Sequence, residues 1–167
     1  MSLSVISLVI SAGAFALSLY SVINTYYEKH IKTKVYLRWV HEAGKQLNIC
    51  LLISNMSSRP STITSIFFVN QDEKVESSWS PKELLSSFNP NDKSYKAAFT
   101  DSTPLNIPPR LARTFVVSFP YLRSNQVITD QMNFEFTIDE KSIQKTLHPK
   151  LILDSKQLAI ALQNRMK

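Results

Sequence analysis

The chain has 167 residues, carries a formal net charge of +6 and contains two glycines and one cysteine. This length leaves room for one domain of ordinary size after an N-terminal apolar stretch, and none for a second. Two isolated glycines cannot form a glycine-rich phosphate loop, so the Walker A and dinucleotide-binding classes are excluded. The basic residues are interleaved with acidic ones, a pattern typical of a solvated surface.

The first element is an apolar segment, because the first 27 positions contain no Asp, Glu, Lys, Arg or His. A helix rises about 1.5 Å per residue, so Leu3 to Ile23 would cross about 30 Å, the thickness of a bilayer's hydrocarbon core. No basic side chain precedes the segment, and apolar residues continue beyond Ala14-Phe15-Ala16, which resembles a signal-peptide cleavage site. Both features favour a retained helix over a cleaved signal. The predicted organisation is a transmembrane helix over 1–27, a basic juxtamembrane linker over 28–33 and a β domain over 34–167.

Basic residues cluster just beyond the apolar segment. Lysine and arginine near the ends of a span favour the cytoplasmic side, and positive charge at the headgroup level attracts anionic lipid. We therefore predict a single-pass protein of the cell membrane whose N-terminus is outside and whose β domain is cytoplasmic. The single cysteine, Cys50, agrees with a reducing compartment. This cationic collar consists of Lys29, His30, Lys32, Lys34 and Arg38, of which Lys29, Lys32 and Lys34 are the predicted lipid contacts.

Small residues line one face of the predicted transmembrane helix, at alternating spacings of three and four. In lipid, helices associate through close packing over small side chains and through hydroxyl hydrogen bonds, so this face predicts a homo-oligomer. The alternative is that each serine hydroxyl bonds to a carbonyl of its own helix and faces lipid. The face consists of Ser4, Ser7, Ser11, Ala14, Ser18 and Ser21.

Beyond the collar, apolar residues favour every second position and are often β-branched or aromatic, which is typical of half-buried strands. Turns are predicted at 42–45, 89–92 and 139–141. Ser80, followed by Pro81, predicts the start of a short helix through Leu85. The predicted strands span residues 34–41, 46–54, 61–70, 94–100, 113–120, 131–138 and 142–153, the last interrupted at Pro149.

The last segment, residues 154–167, predicts an amphipathic helix capped by Asp154 or Ser155. Its apolar face either packs on the sheet or binds a membrane or a partner. The predicted fold class is mainly β, with an N-terminal transmembrane helix followed by an immunoglobulin-like β-sandwich and a short C-terminal helix. The apolar face consists of Leu158, Leu162 and Met166.

The chain contains histidines, serines and acidic residues, but they do not form the sequence motifs of known catalytic sites. The chain has no cysteine pair for zinc, no His-Glu-x-x-His and no Gly-x-Ser-x-Gly. An enzyme would require His41 or His148 beside an acid or a serine in a cleft, and these two and His30 lie far apart in the sequence. We therefore predict that the protein is not an enzyme and that it uses neither a cofactor nor a metal.

Three arginines, Arg110, Arg113 and Arg123, flank the aromatic run from Phe115 to Tyr121. Basic and aromatic residues together are also found in proteins that bind single-stranded nucleic acid. The aromatic residues alternate as those of a core strand do, however, which leaves the arginines as charges at its ends. We therefore predict no nucleic-acid partner.

Two stretches carry a resemblance to known proteins. The first is Leu51-Leu52-Ile53-Ser54-Asn55-Met56-Ser57-Ser58-Arg59-Pro60-Ser61-Thr62-Ile63, and the second is Ile107-Pro108-Pro109 leading into residues 115–120. In both, the chain resembles small uncharacterised bacterial and prophage-encoded membrane proteins with one N-terminal span and an immunoglobulin-like domain. Its architecture and composition also resemble phage superinfection-exclusion proteins. That second resemblance implies a protein that sits at the membrane and stops incoming phage DNA.

Two functional hypotheses follow. The first is a non-enzymatic, membrane-anchored interaction protein that binds a protein partner, with phage superinfection exclusion as its most concrete form. The alternative is an accessory or sensor subunit of a membrane complex, whose β-sandwich binds a ligand or a partner. A concave pocket with convergent polar groups would favour the alternative, and a flat apolar patch would favour the first.

Overall fold

The computed structural model describes residues 3–29, 33–44, 46–70, 73–89, 91, 94–120 and 128–163. Two helices and eleven strands are present in this part of the chain. In chain order they are α1 (Leu3–Lys29), β1 (Thr33–Ala43), β2 (Gln46–Asn55), β3 (Ser61–Asn70), β4 (Glu73–Glu76), β5 (Glu83–Asn89), β6 (Ser94–Phe99), β7 (Leu105–Ile107), β8 (Ala112–Phe119), β9 (Met132–Ile138), β10 (Lys141–Leu147), β11 (Leu151–Ile152) and α2 (Ser155–Leu162).

Helix α1 matches the predicted apolar segment. Its stretch from Ser4 to Tyr26 has a mean hydropathy of 2.0, and none of it is buried against the rest of the protein. The helix is therefore long and apolar enough to span a membrane, although N-terminal signal sequences share this length and composition. Its side and its orientation in a membrane stay predictions.

The strands form two main sheets that face each other across an apolar core. The first sheet has the order β11-β1-β2-β8, and the second has the order β10-β9-β3-β4 with β7 also paired to β3. Alternate residues of the central strands point into the core, as Leu47, Ile49, Leu51 and Ile53 of β2 do. Four phenylalanines pack at its centre with ring centroids 5.5 to 6.1 Å apart. The mainly β fold class is confirmed, whereas its immunoglobulin-like type stays a prediction.

The outer face of the first sheet is also buried. A bulge in β1 shifts the register between Leu37, opposite Leu51, and Trp39, opposite Cys50. The extra residue, Arg38, turns Trp39 away from the central core toward the outer face. There a second apolar cluster joins the sheet to α2 and to the β5–β6 hairpin. It consists of Trp39, Cys50, Ala98, Val116, Leu158 and Leu162, with Leu84, Leu85 and Leu153 packed against it.

The short helix predicted through Leu85 is wrong. Residues from Glu83 onward form β5, which pairs antiparallel with β6. Leu84 and Leu85 pack against the second apolar cluster, so a tertiary contact overrides the local signal of Ser80 and Pro81. The sequence also missed β4 and β7, which are four and three residues long and therefore carry almost no periodicity.

Several predicted boundaries are confirmed. The hairpin turn contains Gly44 at φ +60°, and the turn after β9 contains Asp139 and Glu140 at φ 48° and 67°. The interruption at Pro149 separates β10 from β11. Of the turn predicted at 89–92, Asn89 ends β5 and Asn91 lies in a turn, while positions 90 and 92 lie outside the described residues.

Helix α2 confirms the predicted cap. The Asp154 carboxylate accepts a hydrogen bond from the backbone N–H of Gln157, and the Gln157 side chain accepts one from the backbone N–H of Asp154. Leu158 and Leu162 are buried against the first sheet, which confirms that this apolar face packs on the domain. Met166 lies outside the described residues.

Candidate functional site

A cleft of about 390 Å³ lies between the outer face of the first sheet and the C-terminal half of α2. Its floor is formed by neighbouring residues of three strands, because Trp39 pairs with Cys50 and Cys50 pairs with Val116. Among the residues that the structure describes, the lining consists of Arg38, Trp39, Cys50, Thr114, Val116, Lys150, Leu151, Ala161 and Leu162.

Two local features of the chain bring the cationic side chains to this cleft. The bulge in β1 places Arg38 next to Trp39, at the margin of the floor. The interruption at Pro149 ends β10 and allows β11 to pair in parallel with β1, with Leu151 opposite Trp39. Lys150, which directly precedes Leu151, therefore lies near Arg38, which directly precedes Trp39.

The electrostatics of the cleft favour an anion. Among the lining residues that the structure describes, Arg38 and Lys150 are cationic and none is acidic. An arginine offers a planar fork of donors that matches a carboxylate, sulfonate or phosphate, and a lysine adds a point charge. The floor below these charges is apolar, so the cleft can hold a molecule with one charged end and one apolar body.

A row of buried polar residues lies beside this floor on the same face of the sheet. His41 is opposite Asn48, and Asn48 is opposite Ser118. Asn48 Nδ2 lies 3.5 Å from His41 Nδ1, and Gln46 Nε2 donates to Asn48 Oδ1 at 2.8 Å. Within the described part of the chain, the hydroxyl of Ser118 is buried and makes no hydrogen bond.

This row does not form an accessible catalytic site. His41, Asn48 and Ser118 are each at most 5% exposed, so a substrate cannot reach them. Burial lowers the pKa of His41, and the carboxylate of Asp154 opposes this shift. His148 is exposed and lies elsewhere, with its Nδ1 2.8 Å from the carbonyl oxygen of Asp130. In the described chain, no group of three His, Cys, Asp or Glu side chains could hold a metal ion.

Where the structure describes them, the site residues predicted from the sequence lie in separate parts of the structure and outside the cleft. The small-residue face of α1 from Ser4 to Ser21 is exposed, which leaves its role in self-association a prediction. Lys34 is exposed on β1, whereas the structure does not describe the Lys29 side chain or residue Lys32. Arg110 lies in the loop before β8, Arg113 is the second residue of β8, and Arg123 is outside the described residues.

The cleft itself is not predicted by the sequence, in which Arg38 belongs to the cationic collar and Lys150 has no predicted role. The one available signal was the run from Val35 to Val40, in which Arg38 is followed by two apolar residues in succession. Such a break in alternation is typical of a bulge, and bulges often lie beside functional sites.

No family model matches this chain, and no curated protein is significantly similar to it in sequence. Among solved structures, the copper-bound PCuAC domain from PmoF2 is 12% identical, covers 72% of this chain and 93% of its own, and has a TM-score of 0.47. The apo PCuAC domain from PmoF1 is 15% identical, covers 72% of this chain and 94% of its own, and has a TM-score of 0.46. Spo0M, the sporulation control protein from Bacillus subtilis, is 11% identical, covers 80% of this chain and 55% of its own, and has a TM-score of 0.31. At these identities and TM-scores, the similarities assign neither a family nor a ligand to this chain.

Proposed function

We propose that the protein is a membrane-anchored accessory or sensor subunit whose β domain binds a small amphipathic anion in the cleft beside α2. The observation that carries this proposal is the convergence of Arg38 and Lys150 above an apolar floor. In this proposal, helix α1 anchors the protein in the membrane and the cleft binds the anion.

The shape of the cleft supports a ligand of small-molecule size. Ligand pockets typically enclose about 300–1,000 Å³, are mostly apolar and contain a few polar groups that orient the ligand. The cleft has the required volume, and its lining includes the exposed apolar residues Leu151 and Ala161, the largely buried Trp39, and the two cations. A concave cleft of this kind favours the accessory or sensor hypothesis over an interaction protein that binds its partner through a flat apolar patch.

Each of the other hypotheses is supported by fewer observations. Phage superinfection exclusion rests on the resemblance alone, and no contact among the described residues adds to it. The absence of enzymatic activity stays a prediction, supported by the inaccessibility of His41 and Ser118. The cytoplasmic location of the β domain rests on the cationic collar.

Binding of a matched pair of probes tests the proposal. The full chain in lipid nanodiscs is mixed with naphthalenesulfonate or with the uncharged naphthalenesulfonamide, and saturation-transfer NMR measures binding against empty nanodiscs. We expect the sulfonate to bind and the sulfonamide to bind more weakly, because only the sulfonate interacts with both cations. Replacing both cations should weaken sulfonate binding by at least roughly tenfold, the usual effect of losing one charge-assisted hydrogen bond.

The test variant is a double variant in which both cleft cations are replaced, Arg38→Gln with Lys150→Gln. The matched control is Lys141→Gln with Lys156→Gln, which removes the same charge from exposed positions outside the cleft. Equal sulfonate binding by both double variants, or no preference for the sulfonate, would contradict the proposal.

A further inference from the structure

We infer that the end of the β domain nearest to α1 docks on the surface of an anionic bilayer through two joined loops, residues 56–60 and 108–111. These are called the docking loops below. The inference rests on the membrane-anchoring part of the proposed function, and it is independent of the ligand cleft. None of the loop residues belongs to the predicted lipid contacts at Lys29, Lys32 and Lys34.

The short connection to α1 determines which end of the domain faces the membrane. Helix α1 ends at Lys29 and β1 begins at Thr33, and an extended chain advances at most about 3.6 Å per residue, so this connection spans about 14 Å at most. With α1 in a bilayer, the beginning of β1 must therefore lie close to the headgroups.

Strand pairing places both docking loops at that same end. Thr33 is opposite Asn55, the last residue of β2, and Ser54 is opposite Ala112, the first residue of β8. The loop that follows β2 and the loop that precedes β8 are therefore adjacent to the beginning of β1. The turn between β9 and β10 lies there too, since the backbone N–H of Asp139 donates to the carbonyl oxygen of Thr62, near the start of β3.

Asn55 joins the two loops into one rigid platform. Its buried side-chain amide donates to the carbonyl oxygens of Arg59, Ile107 and Pro108, at 2.7, 3.2 and 3.3 Å. Its backbone N–H donates to the carbonyl oxygen of Leu111 at 2.8 Å. The backbone N–H of Arg110 donates to the carbonyl oxygen of Ser57 at 3.1 Å, so the loops are also bonded directly to each other. The platform is ordered before it meets a membrane, which lowers the entropic cost of docking.

The platform exposes the residues that bind membrane interfaces. Met56 and Leu111 are 54% and 53% exposed, although both are apolar. Exposed cations lie at the same end of the domain, and apolar side chains combined with cations bind anionic interfaces more strongly than either does alone. Asp139 is already engaged, because its carboxylate accepts hydrogen bonds from Ser61 Oγ and from the backbone N–H of Thr62. The exposed cations described at this end are Lys34, Arg59, Arg110, Arg113 and Lys141, and the acids are Asp139 and Glu140.

Spin-label accessibility in the full chain tests this docking. Single cysteines replace Met56, Leu111 or Ile160 in a Cys50→Ala background, and each is labelled with a nitroxide. The chain is reconstituted in phosphatidylcholine or in an equal mixture of phosphatidylcholine and phosphatidylglycerol. Collision rates with oxygen, which enriches in lipid, and with a water-soluble nickel chelate then report the depth of each label. Ile160 is the control because it is apolar and 71% exposed, but lies on α2.

In the mixed bilayer we expect the labels at positions 56 and 111 to shift toward oxygen and away from nickel, while the label at 160 stays accessible to nickel. Charge reversal by Arg59→Glu with Arg113→Glu should abolish the shift. The matched reversal of Lys96→Glu with Lys156→Glu, two exposed lysines outside the docking loops, should preserve it. A shift that survives reversal of Arg59 and Arg113 would overturn the inference.

A label at Leu19→Cys in α1 separates the two ways in which docking could fail. If that label lies in lipid while positions 56 and 111 are as accessible to nickel as position 160, the docking inference is wrong and the anchor stands. If the label at position 19 is itself accessible to nickel, the membrane anchor is wrong and the docking inference falls with it. Binding of naphthalenesulfonate in the cleft is measured separately and bears on neither outcome.

Discussion

At the scale of single residues, Lys145 shows how a charged side chain can protect an edge strand. It lies on β10, an edge of the second sheet, and is opposite Phe134, whose ring is in the core. The half-buried ammonium donates to the carbonyl oxygen of Thr33 at 3.4 Å, and burial lowers the pKa of Lys145. A further strand added to this edge would bury the charge more deeply, so an inward-facing lysine disfavours aggregation through β10.

His41 makes the stability of the domain depend on pH. Burial lowers the pKa of His41 below its ordinary value of 6.5, despite the opposing effect of Asp154. Between the lowered pKa and 6.5, the unfolded chain binds more protons than the folded chain. The contribution of His41 to folding is therefore fully present above about pH 7.5 and is lost as the pH falls through 6.5 toward the lowered pKa.

We therefore predict that His41→Gln reduces the loss of stability between pH 7.5 and pH 5, because glutamine does not titrate there. The free energy of unfolding is measured by urea denaturation of the full chain in detergent at both pH values. His148→Gln is the control, since that histidine is exposed. An unchanged pH dependence in His41→Gln would show that burial of the imidazole does not govern it.

At the scale of elements, α2 is a structural part of the domain. Its side chains Leu158 and Leu162 are 0% and 1% exposed, and they cover Trp39, Cys50 and Val116. The same helix forms one wall of the cleft through Ala161 and Leu162. An eight-residue helix is marginal in isolation, so its stability comes from this packing and from its cap.

Truncation of the buried face of α2 should destabilise the domain. We predict that Leu158→Ala lowers the free energy of unfolding by about 3 kcal/mol, because it leaves a cavity between α2 and the sheet. Ile160→Ala is the matched control on the exposed face and should change it by less than about 0.5 kcal/mol. Both are measured by urea denaturation, and similar losses in the two variants would contradict the packing of α2 on the sheet.

The small-residue face of α1 carries a prediction of its own. Replacing Ser7, Ser11 and Ser18 by leucine should reduce self-association, because larger side chains prevent close approach of two helices. Energy transfer between labelled chains in vesicles measures the association. Ala12→Leu with Ala16→Leu is the control, since it enlarges small residues outside this face. If the serine variant associates as strongly as the original chain, these hydroxyls face lipid or bond within their own helix.

At the scale of the whole molecule, the chain combines an exposed apolar helix with a β domain connected to it by a very short segment. The connection restricts which surfaces of the domain can approach a membrane. The cleft lies on the outer face of the first sheet, while the docking loops lie at the end where β1 begins. The proposed ligand and the proposed bilayer would therefore not compete for the same surface.

The orientation of the whole protein can be tested at one exposed turn. We predict that a cysteine introduced at Asn91, in the β5–β6 hairpin, is protected from a membrane-impermeant maleimide in intact cells and reacts after the membrane is opened. The physical reason is that cations beyond a span favour the cytoplasmic side. Cys50→Ala removes the natural thiol, which is buried. Labelling in intact cells would place the β domain outside.

The sequence by itself determined the apolar helix, the mainly β class and the capped C-terminal helix. These follow from periodicity and from cap chemistry, which act over a few neighbouring residues. Only the tertiary structure decided the cleft, the second apolar cluster and the docking loops. Each depends on contacts between distant segments, such as the parallel pairing of β11 with β1 and the reach of Asn55 to Pro108. Local patterns do not encode such contacts, because the burial that stabilises them exists only once the sheets have packed.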